Sequence, residues 1–260
     1  MKHTSIDKHT FFQKYSIDEQ KFDTTDLDWS ILVKIYEDYI DFCSRIDGTE
    51  MAYIRPISKF SKVHSVRWRI KNPEHLVEKI IRKALNGKKF QLNIENYRDL
   101  IKDILGIRAL HLYKKDFKII HNQILKTYNK RLAETPIIYY REGDDTNLYS
   151  ELSCDLRIHN RGYRSVHYVI QDNNNDYFAE LQVRTIFEEG WSEIDHDITY
   201  PYEIDNPTLN SYLATFNRVA GAADEMGAYV KSIKQELCDY RSQLLTNQKL
   251  IENQKKSSRN

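Results

Sequence analysis

The sequence predicts an α+β fold, in which helices flank a mixed sheet of about five strands, with helical extensions at both ends. Short runs with period-two alternation mix with helical patterns, without the strict alternation of a parallel α/β fold. Long amphipathic patterns lie on either side of this mixed region. We divide the chain into an N-terminal helical segment (1–50), a central domain (51–203), a C-terminal helical or coiled-coil segment (204–254) and a tail (255–260).

The composition is that of a globular protein, because 40% of the 260 residues are apolar and 30% are charged. The 39 basic residues nearly balance the 38 acidic ones, so bulk charge does not indicate a nucleic-acid partner. Three widely spaced cysteines, without zinc spacing, indicate reduced thiols, and the sequence has no apolar signal region or bilayer span. We therefore expect a cytoplasmic protein with no membrane partner.

The first strong helical pattern follows a polar stretch, residues 1–26, for which we expect a short helix and a loop. Apolar residues then recur at steps of three and four, which predicts an amphipathic helix that ends near Asp47-Gly48. Its apolar stripe consists of Leu32, Ile35, Tyr39, Phe42 and Ile46.

A basic run, VRWRIK, has the alternation of an extended strand, with cations at Arg67, Arg69 and Lys71. Asn72 and Pro73 then fit the N-cap and first position of a helix that carries Lys79 and Lys83. Cations beside a helix N-terminus suit a polyphosphate. A solvated charged edge is the alternative interpretation.

The next segments supply a short helix, a buried strand and one isolated carboxylate. Asp103 ends the predicted helix, just before Gly106 and Arg108 at the entry to the strand, where it is a candidate metal ligand or a turn residue. In chain order we predict a helix at 94–103, a strand at 106–113, a helix at 115–132 and strands at 136–141 and 152–159.

A β-hairpin is predicted over residues 161–184, because two alternating runs flank a polar loop. Like faces meet only if paired residue numbers sum to an odd value, and we place Ile170 opposite Tyr177. This register sets His167 across from Glu180, and Ser165 across from Gln182.

The polar face of this hairpin is the first candidate site. Glu180 lies on a strand in a segment that also holds Tyr163, Arg164, His167 and Arg184. A carboxylate on a rigid strand among cations favours a site for metal and phosphate over a solvated surface.

A helix is expected after Arg184, with one face formed by Ile186, Trp191, Ile194 and Ile198, ending near Tyr200-Pro201. Its Asp195-His196-Asp197 run resembles part of a hydrolase metal site. A second His pair and a further carboxylate at suitable spacing are missing, so we expect Glu193, Asp195 or His196 to support neighbouring groups.

The C-terminal segment carries a strict heptad seam, from Phe216 to Leu244, that predicts a helical partner. That partner is internal, namely the helix over 32–46, or it is another subunit or a regulator protein; the sequence leaves these open.

Four blocks closely resemble the signature blocks of the synthetase domain of RelA/SpoT alarmone synthetases, in the order of that family. They are RIKNPEHLVEKI, DILGIRAL, RGYRSVHY and AELQVRTIFEEGWSEIDHD. The resemblance covers about residues 60–203 and implies a nucleotidyltransferase-like fold, like that of single-domain small synthetases and their toxin-like relatives. No GxxxxGK[ST] loop is present, which excludes P-loop chemistry.

The resemblance implies transfer of the β,γ-pyrophosphate of ATP to a ribose 3′-hydroxyl. Asp103 and Glu180 would share Mg²⁺, and Glu180 would also draw the proton from that hydroxyl. Tyr163 would stack on the acceptor base. The remaining implied roles are phosphate binding by Arg69, Lys71 and Lys79, ATP contact by Arg108, and completion of the site by His167, Gln182 and Arg184.

One block departs from the pattern of guanosine-specific members, which carry a Lys two residues before the Gly of the GY pair. Here Asn160 and Arg161 precede Gly162, and the candidates for acceptor phosphate are Arg157, His159 and Arg161. Three hypotheses remain: an enzyme that makes alarmone from ATP and GDP or GTP, a toxin that modifies the 3′-hydroxyl of the tRNA CCA end, and a non-catalytic nucleotide-binding module that acts through its C-terminal helices. A homo-oligomer or an antitoxin partner would use those helices.

Overall fold

A computed structural model of the chain describes residues 5–89, 91–174, 176–199 and 206–257, with side chains up to residue 249. The described residues form helices around one six-stranded sheet. In chain order the helices are α1 (Lys8–Lys14), α2 (Glu19–Phe22), α3 (Trp29–Ile46), α4 (Met51–Ile57), α5 (Pro73–Leu85), α6 (Tyr97–Leu100), α7 (Phe117–Tyr128), α8 (Ile186–Thr199) and α9 (Pro207–Ser257). The strands are β1 (Ser65–Ile70), β2 (Leu105–His111), β3 (Ile137–Tyr140), β4 (Asp155–Ile158), β5 (Ser165–Gln171) and β6 (Phe178–Thr185).

The α+β prediction is confirmed, with six strands in place of about five. The strand order is β1-β2-β6-β5-β3-β4; β2 lies parallel to β6 and β3 parallel to β4, while the other neighbours are antiparallel. The strand predicted over 152–159 is confirmed as β4, an edge strand of only four residues that are all exposed.

The predicted N-terminal helix is α3, whose five stripe residues are all buried in the core. Its N-cap is Asp28, whose side chain accepts a hydrogen bond from the Ser30 N–H. The predicted start of α5 is also confirmed, since the Asn72 side chain caps it and Pro73 occupies its first position. This cap fixes the start of α5, which Lys71 precedes and which carries Lys79 in its second turn.

The predicted hairpin forms from β5 and β6, but its register was wrong by two residues. Ile170 pairs with Ala179 rather than Tyr177, and His167 pairs with Gln182 rather than Glu180. Paired numbers still sum to an odd value, so the expected faces meet. The two strands pair further towards the turn than predicted. The Asp172 N–H donates to the Tyr177 carbonyl at 2.9 Å, and the Asp172 side chain accepts from the Asn174 N–H at 3.0 Å. The turn therefore starts only after Asp172.

Two helix predictions were too long. Over 94–103 only Tyr97–Leu100 is α-helical, so Asp103 lies in the loop that enters β2. Over 115–132 the α-helix is Phe117–Tyr128, with 3₁₀ turns on either side. α8 follows β6 directly; Trp191 on its predicted face is buried while Ile194 is 44% exposed, and the expected end at 200–201 lies outside the described residues.

The cysteines are free thiols, as the sequence predicts. None of the helices in the described part of the chain has the length and apolarity needed to cross a bilayer.

Candidate active site

The polar face of the sheet carries the candidate site in two rows of side chains that run across the strands. One row consists of Arg69, Gly106 and Glu180, which pair directly across β1, β2 and β6. The next row consists of Arg67, Arg108, Gln182 and His167. Directly paired residues stand side by side on one face of a sheet, so these residues form one polar surface.

A cleft of about 240 Å³ lies over these rows, and both predicted carboxylates line it. Asp103 reaches the cleft from the loop before β2, and Glu180 reaches it from within β6. Arg69, Arg108 and Gln182 share the same lining. Five of the predicted site residues therefore meet, although they come from separate segments of the sequence.

Two ammonium groups hold the Asp103 carboxylate. Lys71 Nζ and Lys79 Nζ each lie 2.8 Å from Asp103 Oδ2. Burial raises the pKa of Asp103, but the two lysines outweigh this effect and keep the pKa well below its ordinary value. Burial lowers the pKa of Lys71 in turn. Asp103 is thus an anion at every physiological pH.

The other oxygen of this carboxylate, Asp103 Oδ1, is buried without a hydrogen-bond partner. A buried carboxylate oxygen that lacks a partner costs free energy, and a hard cation would satisfy it. Gly106 stands between Arg69 and Glu180 in its row and leaves the cleft floor without a side chain. The residues present therefore fit Mg²⁺, which takes oxygen ligands.

Glu180 is held from two sides. Its Oε1 lies 3.1 Å from His167 Nδ1, and its Oε2 accepts from Gln182 Nε2 at 2.7 Å. Burial raises the pKa of Glu180, but the hydrogen bonds from His167 and Gln182 bring it below its ordinary value. The shifted register leaves His167 diagonal to Glu180 rather than opposite, and the two side chains still meet.

A chain of hydrogen bonds runs from Glu180 to a buried arginine. Tyr163 Oη lies 2.9 Å from His167 Nε2, and Arg184 Nη1 donates to Tyr163 Oη at 3.3 Å. Because Arg184 is always a donor, the Tyr163 hydroxyl is free to donate to His167, which then carries its proton on Nδ1 and donates to Glu180. Each member is thereby fixed by the next.

Aromatic rings cluster beside this chain. The ring of Tyr163 lies 5.3 Å from that of His159, 5.7 Å from that of His167 and 6.0 Å from that of Tyr139. Burial raises the pKa of Tyr163, so it stays a neutral phenol. Tyr139 is a member of this cluster that our sequence analysis missed, although it lies in a predicted strand.

Glu189 is a second residue that sequence analysis missed, and it forms an acidic pair on α8 with Glu193. Glu189 lies 2.6 Å from Arg184, 3.1 Å from Arg108 and 3.3 Å from Arg67, and it is buried. Glu193, one turn along, lies 2.6 Å from Arg108. The i, i+4 spacing of two glutamates on a helix beside an arginine-rich sheet was the available signal. The expected support by Glu193 is thus present.

Of the predicted acceptor residues, Gln182 lines the cleft, whereas Tyr163, His167, Arg161 and Arg184 do not. Tyr163 and His167 are connected to it through the hydrogen bond to Glu180. Arg161 pairs with Asp195 at 2.5 Å and lines a separate depression. Arg184 is almost fully buried, against Glu189 and Ser192. Within the described residues, no group of three or more His, Cys, Asp or Glu side chains converges as a metal site, so the Asp195-His196-Asp197 run does not form one.

Comparison with known proteins decides the family. Residues 68–205 match the model described as the region found in RelA / SpoT proteins, more than half of the chain. The chain belongs to the RelA/SpoT family. The resemblance of the four blocks is thereby confirmed.

Individual relatives of this RelA/SpoT chain are distant. GTP pyrophosphokinase YwaC of Bacillus subtilis is 23% identical over 205 residues, which cover 76% of this chain and 88% of the relative. A GTP pyrophosphokinase family protein from Streptococcus pneumoniae is 23% identical and has a TM-score of 0.51, with 81% of this chain and 96% of that chain covered. The small alarmone synthetase 1 of Bacillus subtilis, bound to its product pppGpp, is 19% identical with a TM-score of 0.47, covering 80% of this chain and 98% of that chain. The Streptococcus pneumoniae structure shows that the fold is shared.

Proposed function

We propose that this RelA/SpoT chain is a Mg²⁺-dependent pyrophosphotransferase that moves the β,γ-pyrophosphate of ATP to the ribose 3′-hydroxyl of GDP or GTP. The observation that carries the proposal is the meeting of Asp103 and Glu180 in one cleft beside a row of cations. The activity in the name of the Bacillus subtilis relative supports it.

The cations of the cleft would bind the ATP phosphates. Arg69 is exposed on the sheet face, and Arg108 lines the same cleft. Lys71 and Lys79 lie around Asp103, where they would approach both the metal-bound carboxylate and the phosphates. Phosphoryl-type transfer needs in-line placement and positive charge more than covalent help, which this set supplies.

Asp103 Oδ1 and Glu180 would hold Mg²⁺, which supplies charge neutralisation between carboxylates and phosphate oxygens. Two protein carboxylates suit this ion, because Mg²⁺ usually completes its octahedron with water and phosphate. Lys71 and Lys79 keep Asp103 ionised and ready for this role.

Glu180 would act as the general base. The 3′-oxygen attacks the β-phosphorus of ATP, the bond to the α-phosphate oxygen breaks and AMP leaves, while the hydroxyl proton passes to Glu180. His167 and Gln182 hold the two carboxylate oxygens of Glu180 and fix its rotamer. Arg184 would position Tyr163, and through it His167, rather than touch the acceptor.

The acceptor base would stack on Tyr163, in the cluster that also contains Tyr139 and His159. A second candidate acceptor is the 3′ end of tRNA. The specific observation that favours it is the altered GY block, in which the Arg161 charge is already paired with Asp195. Aromatic stacking serves a terminal adenosine as well as a guanine base. The free thiols and either acceptor fit a cytoplasmic setting.

The test is transfer of label from γ-labelled ATP with Mg²⁺, when GDP, GTP, adenine nucleotides or deacylated tRNA is offered in turn. We expect a labelled product when GDP or GTP is the acceptor. No label should be transferred from α-labelled ATP, since the α-phosphate leaves in AMP. Label on tRNA alone would show that tRNA, and not GDP or GTP, is the acceptor, and would leave the proposed pyrophosphate transfer unchanged. No transfer to any acceptor would overturn the proposal in favour of a non-catalytic nucleotide-binding module.

A further inference from the structure

The two ends of the cleft differ in their chemistry. Asp103 and Glu180 line the end at which Mg²⁺ would bind. Arg108 lies two residues beyond Gly106 on β2, which places it about 7 Å further along the strand. Glu193, from α8, lines the cleft beside Arg108. We call the part of the cleft lined by Arg108 and Glu193 the α8 end.

Glu193 is a carboxylate with only one of its oxygens held. Its Oε1 lies 2.6 Å from Arg108 Nη1, whereas its Oε2 lies 4.0 Å from Arg67 Nη1, which is beyond hydrogen-bond distance. The side chain is 39% exposed, so a molecule bound in the cleft can reach it. The ion pair with Arg108 therefore fixes the side chain and leaves Oε2 able to accept a hydrogen bond from a ligand.

Arg108 does not need Glu193 as a counter-charge. The buried Glu189 already lies 3.1 Å from the same nitrogen, Arg108 Nη1. Because both carboxylates contact this one nitrogen, the rest of the guanidinium remains available to the phosphates of ATP. Glu193 therefore adds a negative charge to the lining of a cleft whose proposed ligand is a polyphosphate.

This charge determines which part of ATP suits the α8 end. A carboxylate in the lining repels phosphate groups, so this end favours the uncharged nucleoside. The position of the acceptor cluster supports the same placement. His167 lies on β5, whereas the α8 end lies over β1 and β2, and β6 with Glu180 runs between them. The donor base and the acceptor base would thus lie on opposite sides of Glu180.

We propose that Glu193 reads the base of the pyrophosphate donor, by accepting a hydrogen bond at Oε2 from the 6-amino group of adenine. Guanine carries a carbonyl oxygen at this position, which a carboxylate repels. An enzyme with ATP as donor and GTP as acceptor has to tell the two purines apart, and Glu193 supplies both the attraction and the repulsion. The inference rests on the proposed function, because it places the base of ATP in the same cleft.

The test compares ATP with purine riboside 5′-triphosphate, which lacks only the 6-amino group. Binding of each is measured by calorimetry, with Mg²⁺ and without acceptor. We expect the native chain to bind ATP about 30-fold more tightly, the factor typical of one hydrogen bond to a charged group. Glu193→Ala should bring the ratio of the two dissociation constants to about one, because the amino group then has no carboxylate to meet.

The matched control is Asp197→Ala, which removes an exposed carboxylate one turn further along α8 and should keep the native ratio. Near-UV circular dichroism of both variants should match that of the native chain. Loss of charge alone would strengthen the binding of both triphosphates equally, so the ratio, and not the affinity, reports the contact with the base.

A native ratio near one would overturn the role of Glu193, and so would a ratio that Glu193→Ala leaves unchanged. In both cases ATP still binds, so the proposed function would stand. Binding of neither triphosphate to the native chain would overturn the proposed function together with the inference.

Discussion

The carboxyl groups of Asp103 and Glu180 line one cleft, although Asp103 belongs to a loop and Glu180 to a strand. Different partners anchor them: two lysines hold Asp103 Oδ2, while His167 and Gln182 hold both oxygens of Glu180. This division leaves Asp103 Oδ1 as the unpartnered oxygen. The positions of the two carboxylates thus depend on different side chains, which can be changed separately.

Two substitutions at Tyr163 separate its ring from its hydroxyl. Tyr163→Ala removes the stacking surface, so we expect the KM for the acceptor to rise about tenfold or more while ATP affinity stays near native. Tyr163→Phe keeps the ring and removes the link between Arg184 and His167, so it should lower kcat with little effect on the acceptor KM. Steady-state kinetics with ATP binding by calorimetry checks both. An equal loss of ATP affinity in Tyr163→Ala would contradict the stacking role.

Glu189 is expected to stabilise the fold through its three arginines. Glu189→Gln leaves the buried guanidinium of Arg184 without this counter-charge, and we expect the free energy of unfolding to fall by about 3 kcal/mol. Glu193→Gln is the matched control on the next turn of α8; its side chain is more exposed, and the loss should stay below about 1 kcal/mol. Urea unfolding measures both. A loss below about 1 kcal/mol for Glu189→Gln as well would show that the buried network does not depend on Glu189.

The contact between the end of β6 and α9 predicts a pH dependence of stability. Thr185 Oγ1 donates to Asp224 Oδ2 at 2.8 Å, and burial together with the nearby Glu188 raises the pKa of Asp224 from 3.8 to about 7. A carboxyl whose folded pKa is raised destabilises the fold as pH rises from about 4 to about 7, and the effect is complete above that range. Asp224→Asn keeps an acceptor for Thr185 and removes the charge. It should therefore raise the free energy of unfolding by about 2–4 kcal/mol at pH 8.

The check on Asp224 is thermal unfolding of both proteins between pH 4 and pH 8, with Glu225→Gln as an exposed control on the same turn. The advantage of Asp224→Asn should grow from pH 4 to pH 7 and then level off. Parallel curves across the range would show that Asp224 does not titrate there.

Much of the fold follows from local sequence signals. The stripe of α3 and the Asn72-Pro73 start of α5 depend on periodicity and capping, which act within a few residues and were predicted correctly. The hairpin faces were also correct. Its register was wrong because the Asp172 turn, and not the alternation, decides which residues pair.

The site was less predictable where contacts cross elements. The four blocks identified Asp103 and Glu180, but the lysine pair on one oxygen of Asp103 depends on where a loop and a helix start meet. Arg161 and Arg184 illustrate the same limit, since both carry charges suited to phosphate. Asp195 and Glu189, on the facing helix, already neutralise them.

The most direct measurement is transfer of label from γ-labelled ATP by Glu180→Gln, beside the native chain and the exposed control Glu134→Gln. The amide keeps the shape of the side chain but is a poor ligand and base, so we expect turnover to fall by about 10³-fold or more. Circular dichroism and thermal unfolding should show that the fold is intact, and Glu134→Gln should match the native rate. Near-native turnover in Glu180→Gln would contradict the central claim that this carboxylate, together with Asp103, performs the chemistry.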